Sequence, residues 1–174
     1  MDAVVLVEGI SDQIAVETLA LRHGRDLARE GIDVVPIGGA QAIGRALERF
    51  AGMRVVGLCD AGEEEVFRKR RLEFYVCVAD LEDELIRAVG IDSALELLDA
   101  NNDLHAFRTF QKQPAWRGRR IDAQLRRFMG SADRRKTRYA RIFIEALDLD
   151  RIPRPLDAVL GYFARGSGSA AGGF

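Results

Sequence analysis

The chain has 174 residues, 48% of them hydrophobic and 30% charged, with a formal net charge of −1. That is ordinary for a soluble globular protein with one sizeable core, and the overall charge balance names no partner. No apolar stretch approaches the roughly 20 residues that cross a bilayer.

The first element is the β-branched run at residues 3–7, a strand covered on both faces. It stops at Glu8 and Gly9, and no basic leader or cleavage pattern precedes it, so a cytoplasmic location is expected. Ser11 is placed to cap a helix from about Asp12 to Arg29, with Ile14, Leu19, Leu21 and Leu27 as its apolar residues and Gly31 ending it. Residues 33–37 read as a second strand, with Pro36 near its end where a lost ladder bond matters least. Gly38 and Gly39 turn the chain into a helix at about 41–50. Residues 54–59 form the third strand, 64–72 a short charged helix, and 74–78 the fourth strand. This alternation predicts a parallel sheet with right-handed crossovers. Asp80 is placed to cap a helix ending at Gly90, and helices follow at about 92–100, 103–112, 119–129, 134–147 and 155–164. The division expected is an α/β core over residues 1–90, a basic helical extension packed on it over 91–164, and a flexible tail over 165–174. Cys59 and Cys77 lie in apolar runs and read as buried thiols, not as a disulfide framework or a metal site.

Carboxylates gather where strands end. Glu8 closes the first strand and Asp60 the third, which places both at the edge where open α/β sheets bind ligands. Asp12 follows Glu8 by four residues, across a turn that Gly9 lets bend sharply. Oxygen ligands of this kind suit a hard cation such as Mg²⁺. Glu63 could also reach inward, although the run Glu63-Glu64-Glu65 is the usual start of a solvated helix. After the fourth strand comes Asp80-Leu81-Glu82-Asp83-Glu84. Capping explains part of this run, and Glu82 is a further candidate metal ligand. The Gly38-Gly39 turn is a weak candidate phosphate cradle, and His23 and His105 read as surface residues.

Residues 108–141 hold twelve Lys and Arg against Asp122 and Asp133. Arg117, Arg119, Arg120, Arg126, Arg127, Arg134, Arg135 and Arg138 are interleaved with Trp116, Phe128 and Tyr139. Cations that neutralise phosphates beside rings that stack on bases suit nucleic acid. The competing reading is a solvated face that balances the acidic half by ion pairs.

The ordered set Val-Glu-Gly-Ile-Ser-Asp at 7–12, Gly38-Gly39 and Leu-Cys-Asp-Ala-Gly-Glu-Glu at 58–64 resembles the Toprim fold. The similarity is greatest to the OLD (overcoming lysogenisation defect) endonuclease-like branch, in small stand-alone versions. Residues 79–88 resemble the acidic helix start of that branch, and Arg135-Lys-Thr-Arg-Tyr-Ala140 its late lysine motif. The resemblance spans roughly residues 3–160 and implies a Rossmann-like four-stranded parallel sheet. It also implies that Glu8, Asp12, Asp60 and Glu82 serve a Mg²⁺ or Mn²⁺ site, and that Lys136 neutralises phosphate charge. One departure stands out. Gly62 occupies the place of the second acid of the family's Asp-x-Asp, so either Glu63 or Asp80 substitutes or one metal position is weakened. The chain has no Walker A pattern, so control by ATP would come from an ATPase subunit in trans.

The function expected is metal-dependent phosphodiester hydrolysis, on DNA more than RNA, with Glu8 and Lys136 as the catalytic pair. The alternative is a non-catalytic Toprim adaptor that binds DNA or a repair or phage-defence partner.

Overall fold

The computed structural model describes residues 2–164, so the expected tail over 165–174 lies outside the described residues. Four strands, β1 (Ala3–Val7), β2 (Ile32–Pro36), β3 (Arg54–Asp60) and β4 (Glu73–Cys77), form one sheet in the order β2-β1-β3-β4. Every pairing is parallel. All five residues of β1 are buried, as the unbroken apolar run requires of a central strand. Pro36 pairs with Val7 at the end of an edge strand, where its missing N–H costs least.

The chain leaves β1 towards β2 on one side and later returns to place β3 on the other. The carboxyl ends of β1 and β3 therefore flank the topological switch point, the crevice where open α/β sheets bind ligands.

The helices of the first half are α1 (Ile10–Arg22), α2 (Ile43–Arg49), α3 (Glu64–Arg68) and α4 (Leu81–Val89). The second half contributes α5 (Ile91–Ala100), α6 (Leu104–Gln111), α7 (Ile121–Met129), α8 (Asp133–Ala146) and α9 (Arg154–Ala164). Side-chain alternation along β1 divides the core in two. Val4 and Leu6 pack with Ile43, Phe50 and Phe67 beneath α2 and α3. Ala3, Val5 and Val7 face the larger cluster, which α1 and the later helices complete with Leu125, Phe143, Ile144 and Leu156. Gly57 leaves room for Phe67, since an added Cβ would stand 2.7 Å from the Phe67 ring.

Two arginines, Arg22 at the end of α1 and Arg25 in the turn after it, tie the first half to the second. Arg22 donates to the carbonyls of Ile144 and Leu147 at 2.8 and 2.6 Å, satisfying the open C-terminal end of α8. Arg25 donates to the Leu160 carbonyl at 2.8 Å. The Arg22 bonds, with Ala15, Val16 and Leu19 packed in the same cluster as Tyr139, Ala140 and Phe143, set the position of α8 against α1.

Several local expectations are corrected. The first helix ends at Arg22, not Arg29, because the chain turns at Gly24 in the left-handed region. Leu21, although within α1, lies outside the core and is 64% exposed. Gly31 ends no helix, and its carbonyl instead accepts from Asp2 and Ala3 at the start of β1. Ser11 does not cap α1, since the helix begins at Ile10, two residues before the expected start, and Asp12 accepts from the Gly9 N–H at 2.9 Å. Gly9 itself is extended (φ −141°, ψ 179°), a conformation open to any residue, so no special freedom is spent there. The helix expected at 64–72 shortens to Glu64–Arg68 after a 3₁₀ turn over Ala61–Glu63. No helix among the described residues is long and apolar enough to cross a membrane.

Candidate functional site

Glu8 emerges from the buried β1 directly at the switch point. Its backbone is anchored by the Gly38-Gly39 turn, whose two N–H groups donate to the Glu8 carbonyl at 3.0 and 3.3 Å. That turn adopts positive φ at both glycines, so both residue types are needed there. It does not act as a phosphate cradle, because its N–H groups are already spent on Glu8. Oε2 of Glu8 is buried and has no hydrogen-bond partner, the sole such side-chain atom among the described residues. A buried acceptor without a donor is costly unless something fills the place.

Asp12, Asp60 and Glu63 share the field of Glu8, and Glu82 shares that of Asp12. Asp12, on the first turn of α1, is 6% exposed. Burial raises its carboxyl above the ordinary range, while Lys136 and the Gly9 N–H oppose the rise. Asp60 ends β3, and the Ala61 N–H bond to the Ala79 carbonyl at 3.2 Å holds that strand end beside β4. Burial, with Asp12, Glu8 and Asp80 nearby, pushes the Asp60 carboxyl up to about 8. Glu8 is raised by burial and then by Glu63 and Asp12. Glu82, on the first turn of α4, is 9% exposed and raised by burial. Acids held against ionisation by burial and by one another mark a place that lacks positive charge.

Lys136 is the one ammonium aimed at this group from the second half of the chain among the described residues. Its Nζ lies 3.5 Å from Glu82 Oε1. Burial works to lower it, yet Glu82, Asp12 and Asp60 outweigh burial and hold it above its ordinary value. The packing of α8 on α1 thus delivers a cation from residue 136 to acids at residues 8–12 and 60.

The remaining acids have other duties. Asp80 caps α4 by accepting from the Asp83 N–H at 2.9 Å and pairs with Arg126 at 2.6 Å, so both its oxygens are engaged. Asp83 pairs with Arg87. Glu84 accepts from the Val78 N–H and from Arg87, which explains its burial. Glu63 accepts from the Ala40 N–H at 3.1 Å, and its nearby charge helps to raise the Glu8 carboxyl. Glu64 and Glu65 pair with Arg68 on the surface. A Cβ at Gly62 would meet no heavy atom within 4 Å, so the place of the second acid is open space. Among the described residues, no group of three or more His, Cys, Asp or Glu is gathered closely enough to hold a metal ion as it stands.

The basic segment divides by partner. Arg126 is committed to Asp80, Arg120 to Asp122, and Arg138 to Asp103. Arg135 donates to the Phe128 carbonyl and lies over the Phe128 ring at 4.0 Å. Arg117, Arg119, Arg127 and Arg134 are exposed and make no side-chain ion pair among the described residues. The aromatic expectation needs correction. Phe128 and Tyr139 are buried in the core, and the Tyr139 hydroxyl donates to Asp103 at 2.8 Å. Trp116 alone of the three reaches the surface, half-buried. His23 and His105 are exposed, and both cysteines are free and buried. Burial, then Asp60, pushes the Cys59 thiol up to about 12 and raises that of Cys77 further, so neither offers a thiolate.

Residues 1–61 match the family model described as the overcoming lysogenization defect protein-like TOPRIM domain. Solved structures share the fold over nearly the whole chain. The C-terminal region of the Burkholderia pseudomallei OLD protein is 15% identical with a TM-score of 0.65, over 94% of this chain and 97% of that one. The C-terminal region of the Xanthomonas campestris pv. campestris OLD protein is 19% identical with a TM-score of 0.67, over 94% and 92%. No curated protein matches the sequence. The parallel four-stranded sheet with its helical extension is thus the fold of OLD C-terminal Toprim regions.

Proposed function

From a chain whose first 61 residues are an OLD-like Toprim segment, we propose metal-dependent hydrolysis of phosphodiester bonds in DNA. The observation that carries this reading is the buried, partnerless Glu8 oxygen at the β1/β3 switch point, among carboxylates that burial and mutual repulsion hold above their ordinary range. A hard cation answers both features, since it fills the vacant acceptor and relieves the repulsion, and the donors present are all oxygens. Glu8, Asp12 and Asp60 would hold Mg²⁺ or Mn²⁺, with Glu82 and Glu63 as further candidates, and the ion supplies charge stabilisation at the scissile phosphate and an acidified water. Asp80 is the weakest candidate, because capping and Arg126 occupy it.

The chain's own groups have separate tasks in this scheme. Lys136 is the cation available to a phosphoryl oxygen as negative charge builds. It reaches that role by exchanging part of its pairing with Glu82 for the phosphate. Burial of Asp12 and Glu82 keeps bulk water from screening these charges. Arg117, Arg119, Arg127 and Arg134, unpaired on the surface, track the sugar-phosphate backbone. An ATPase acting in trans, which the resemblance to the OLD branch implies, belongs to the same proposal.

A second reading, a non-catalytic adaptor, is favoured by two observations: Gly62 in place of an acid, and acids that are not gathered into a ready cluster. Calorimetric titration with Mn²⁺ separates the two. The nuclease reading expects saturable binding that weakens at least tenfold in Glu8→Gln. An adaptor gives no saturable heat in either protein. The nucleic-acid part is tested with Arg127→Glu combined with Arg134→Glu. The pair is expected to weaken DNA binding about uniformly across sequences and to flatten the plot of log affinity against log salt by about two. An unchanged salt slope contradicts it.

A further inference from the structure

Beside the acids lies a cleft of about 400 Å³ that shares Glu82, Arg127 and Lys136 with the scheme above and adds a tryptophan to them. Glu82, Lys136, Trp116 and Arg127 line it, with the ion pair Asp80–Arg126 and the small residues Ala123 and Gly130. Trp116 sits on the α6–α7 connection, which would ordinarily hold a ring loosely. Here it is braced from two sides. Its ring stacks on Phe110 at 5.3 Å with 30° between planes, and Phe110 packs in turn on Phe107 and Phe128. Its carbonyl accepts from Gln124 Nε2 at 2.8 Å. Gln124 is only 5% exposed, and its own carbonyl oxygen accepts from Gln111 at 2.6 Å. The buried Gln124 and half-buried Gln111 therefore fix a half-exposed aromatic of the basic segment at the edge of a charged cleft.

We propose that this cleft receives one unpaired nucleotide of the DNA strand, with its base stacked on Trp116 and its phosphates between Arg127 and Lys136. The inference rests on the nuclease reading and deepens it by naming the substrate form. A planar apolar surface flanked by cations matches a base with its phosphates. A base inside a duplex has both faces covered by its neighbours, so it reaches a side-chain ring only from a single strand, a frayed end or a flipped position. The substrate class is accordingly DNA with an unpaired nucleotide at the cut site, and Trp116 is a positioning residue for it.

Trp116 is the only tryptophan of the chain, so its fluorescence reports on this cleft directly. The test titrates the full chain, in EDTA, with three probes of equal length: a single-stranded oligothymidylate, the same strand built of abasic sites, and a blunt duplex. Fluorescence anisotropy of a label on each probe gives the affinity independently. The expected result is strong quenching by the oligothymidylate and little by the other two. In Trp116→Leu, single-strand affinity should fall about 5- to 150-fold, as loss of one stacked base predicts, while duplex affinity changes less than about twofold. Trp116→Phe should recover most of the loss, which a folding defect would not. Equal quenching by the abasic strand, or equal loss for single strand and duplex in Trp116→Leu, overturns the cleft assignment and leaves the nuclease reading standing. Failure of the oligothymidylate to bind likewise overturns the cleft assignment.

Discussion

Asp60→Asn is expected to melt at a higher temperature than the wild type at pH 8.5 in EDTA, and to be inactive. The Asp60 carboxyl rises from 3.8 to about 8 in the fold because burial and the charges of Asp12, Glu8 and Asp80 oppose its ionisation. A folded-state value above the unfolded one means that the native protein holds this proton more tightly. The contribution to stability is therefore fully present below pH ~4 and is lost as pH rises towards about 8. Asparagine removes the titration and the repulsion together. After a discount for partial solvent access, the gain at pH 8.5 is on the order of 2 kcal/mol, or about 4–8 °C for a chain of this size. At pH 4.5 the two proteins should melt within about 2 °C of each other. A variant that melts lower than wild type at pH 8.5 would show that Asp60 is not held against its charge. The pairing of higher stability with lost activity is the signature of a residue kept for function.

Lys136→Ala is expected to lower the rate of DNA cleavage about 100-fold or more, even at saturating Mn²⁺. The structure gives Lys136 two conceivable duties: neutralising Glu82, Asp12 and Asp60, or facing a phosphate. The two separate cleanly. If it only balanced the acids, excess cation would take over that duty and restore kcat. If it stabilises charge on the phosphoryl group, excess cation binds but the rate stays low. Full recovery of kcat at saturating Mn²⁺ would remove Lys136 from the chemistry and leave it a structural counter-ion.

The sheet was legible in the sequence because each strand is a short apolar run bounded by glycine or charge, and the alternation with helices dictates parallel pairing. The placement of Glu8 and Asp60 at strand ends followed from the same punctuation. What failed was local geometry that tertiary contacts decide. Asp12, one residue beyond the expected cap Ser11, takes the Gly9 N–H, which ties a candidate ligand to the helix start. Residues 23–31 carry enough helix formers to extend α1, but Arg25 is drawn away to the Leu160 carbonyl. Phe128 and Tyr139 sit among arginines in sequence and in the core in space. The stripes Leu125-Phe128-Met129 and Tyr139-Ala140-Phe143-Ile144, at helical spacing, are the signal that marks them as core.

Other features had no local signature. Gln124 looks like any polar residue of a basic helix, and its bonds to Gln111 and to the Trp116 carbonyl depend on how α6 and α7 meet. The division of the arginines into paired and unpaired sets depends on Asp80 and Asp103, which lie 46 and 35 residues away from Arg126 and Arg138. Lys136 stands 54 to 128 residues from the acids it faces, and only the packing of α8 on α1 brings them together. Sequence punctuation locates strand ends well. It does not say which cation will stand opposite them.

The central claim is that the acidic group around Glu8 serves phosphodiester hydrolysis. The most direct test is nicking of supercoiled plasmid in Mg²⁺ or Mn²⁺ by the wild type and by Glu8→Gln, an isosteric change that removes the charge but keeps the buried group. Metal-dependent nicking that falls at least about 1000-fold in the variant is the expected result. Nicking that persists at the wild-type rate in Glu8→Gln would contradict it.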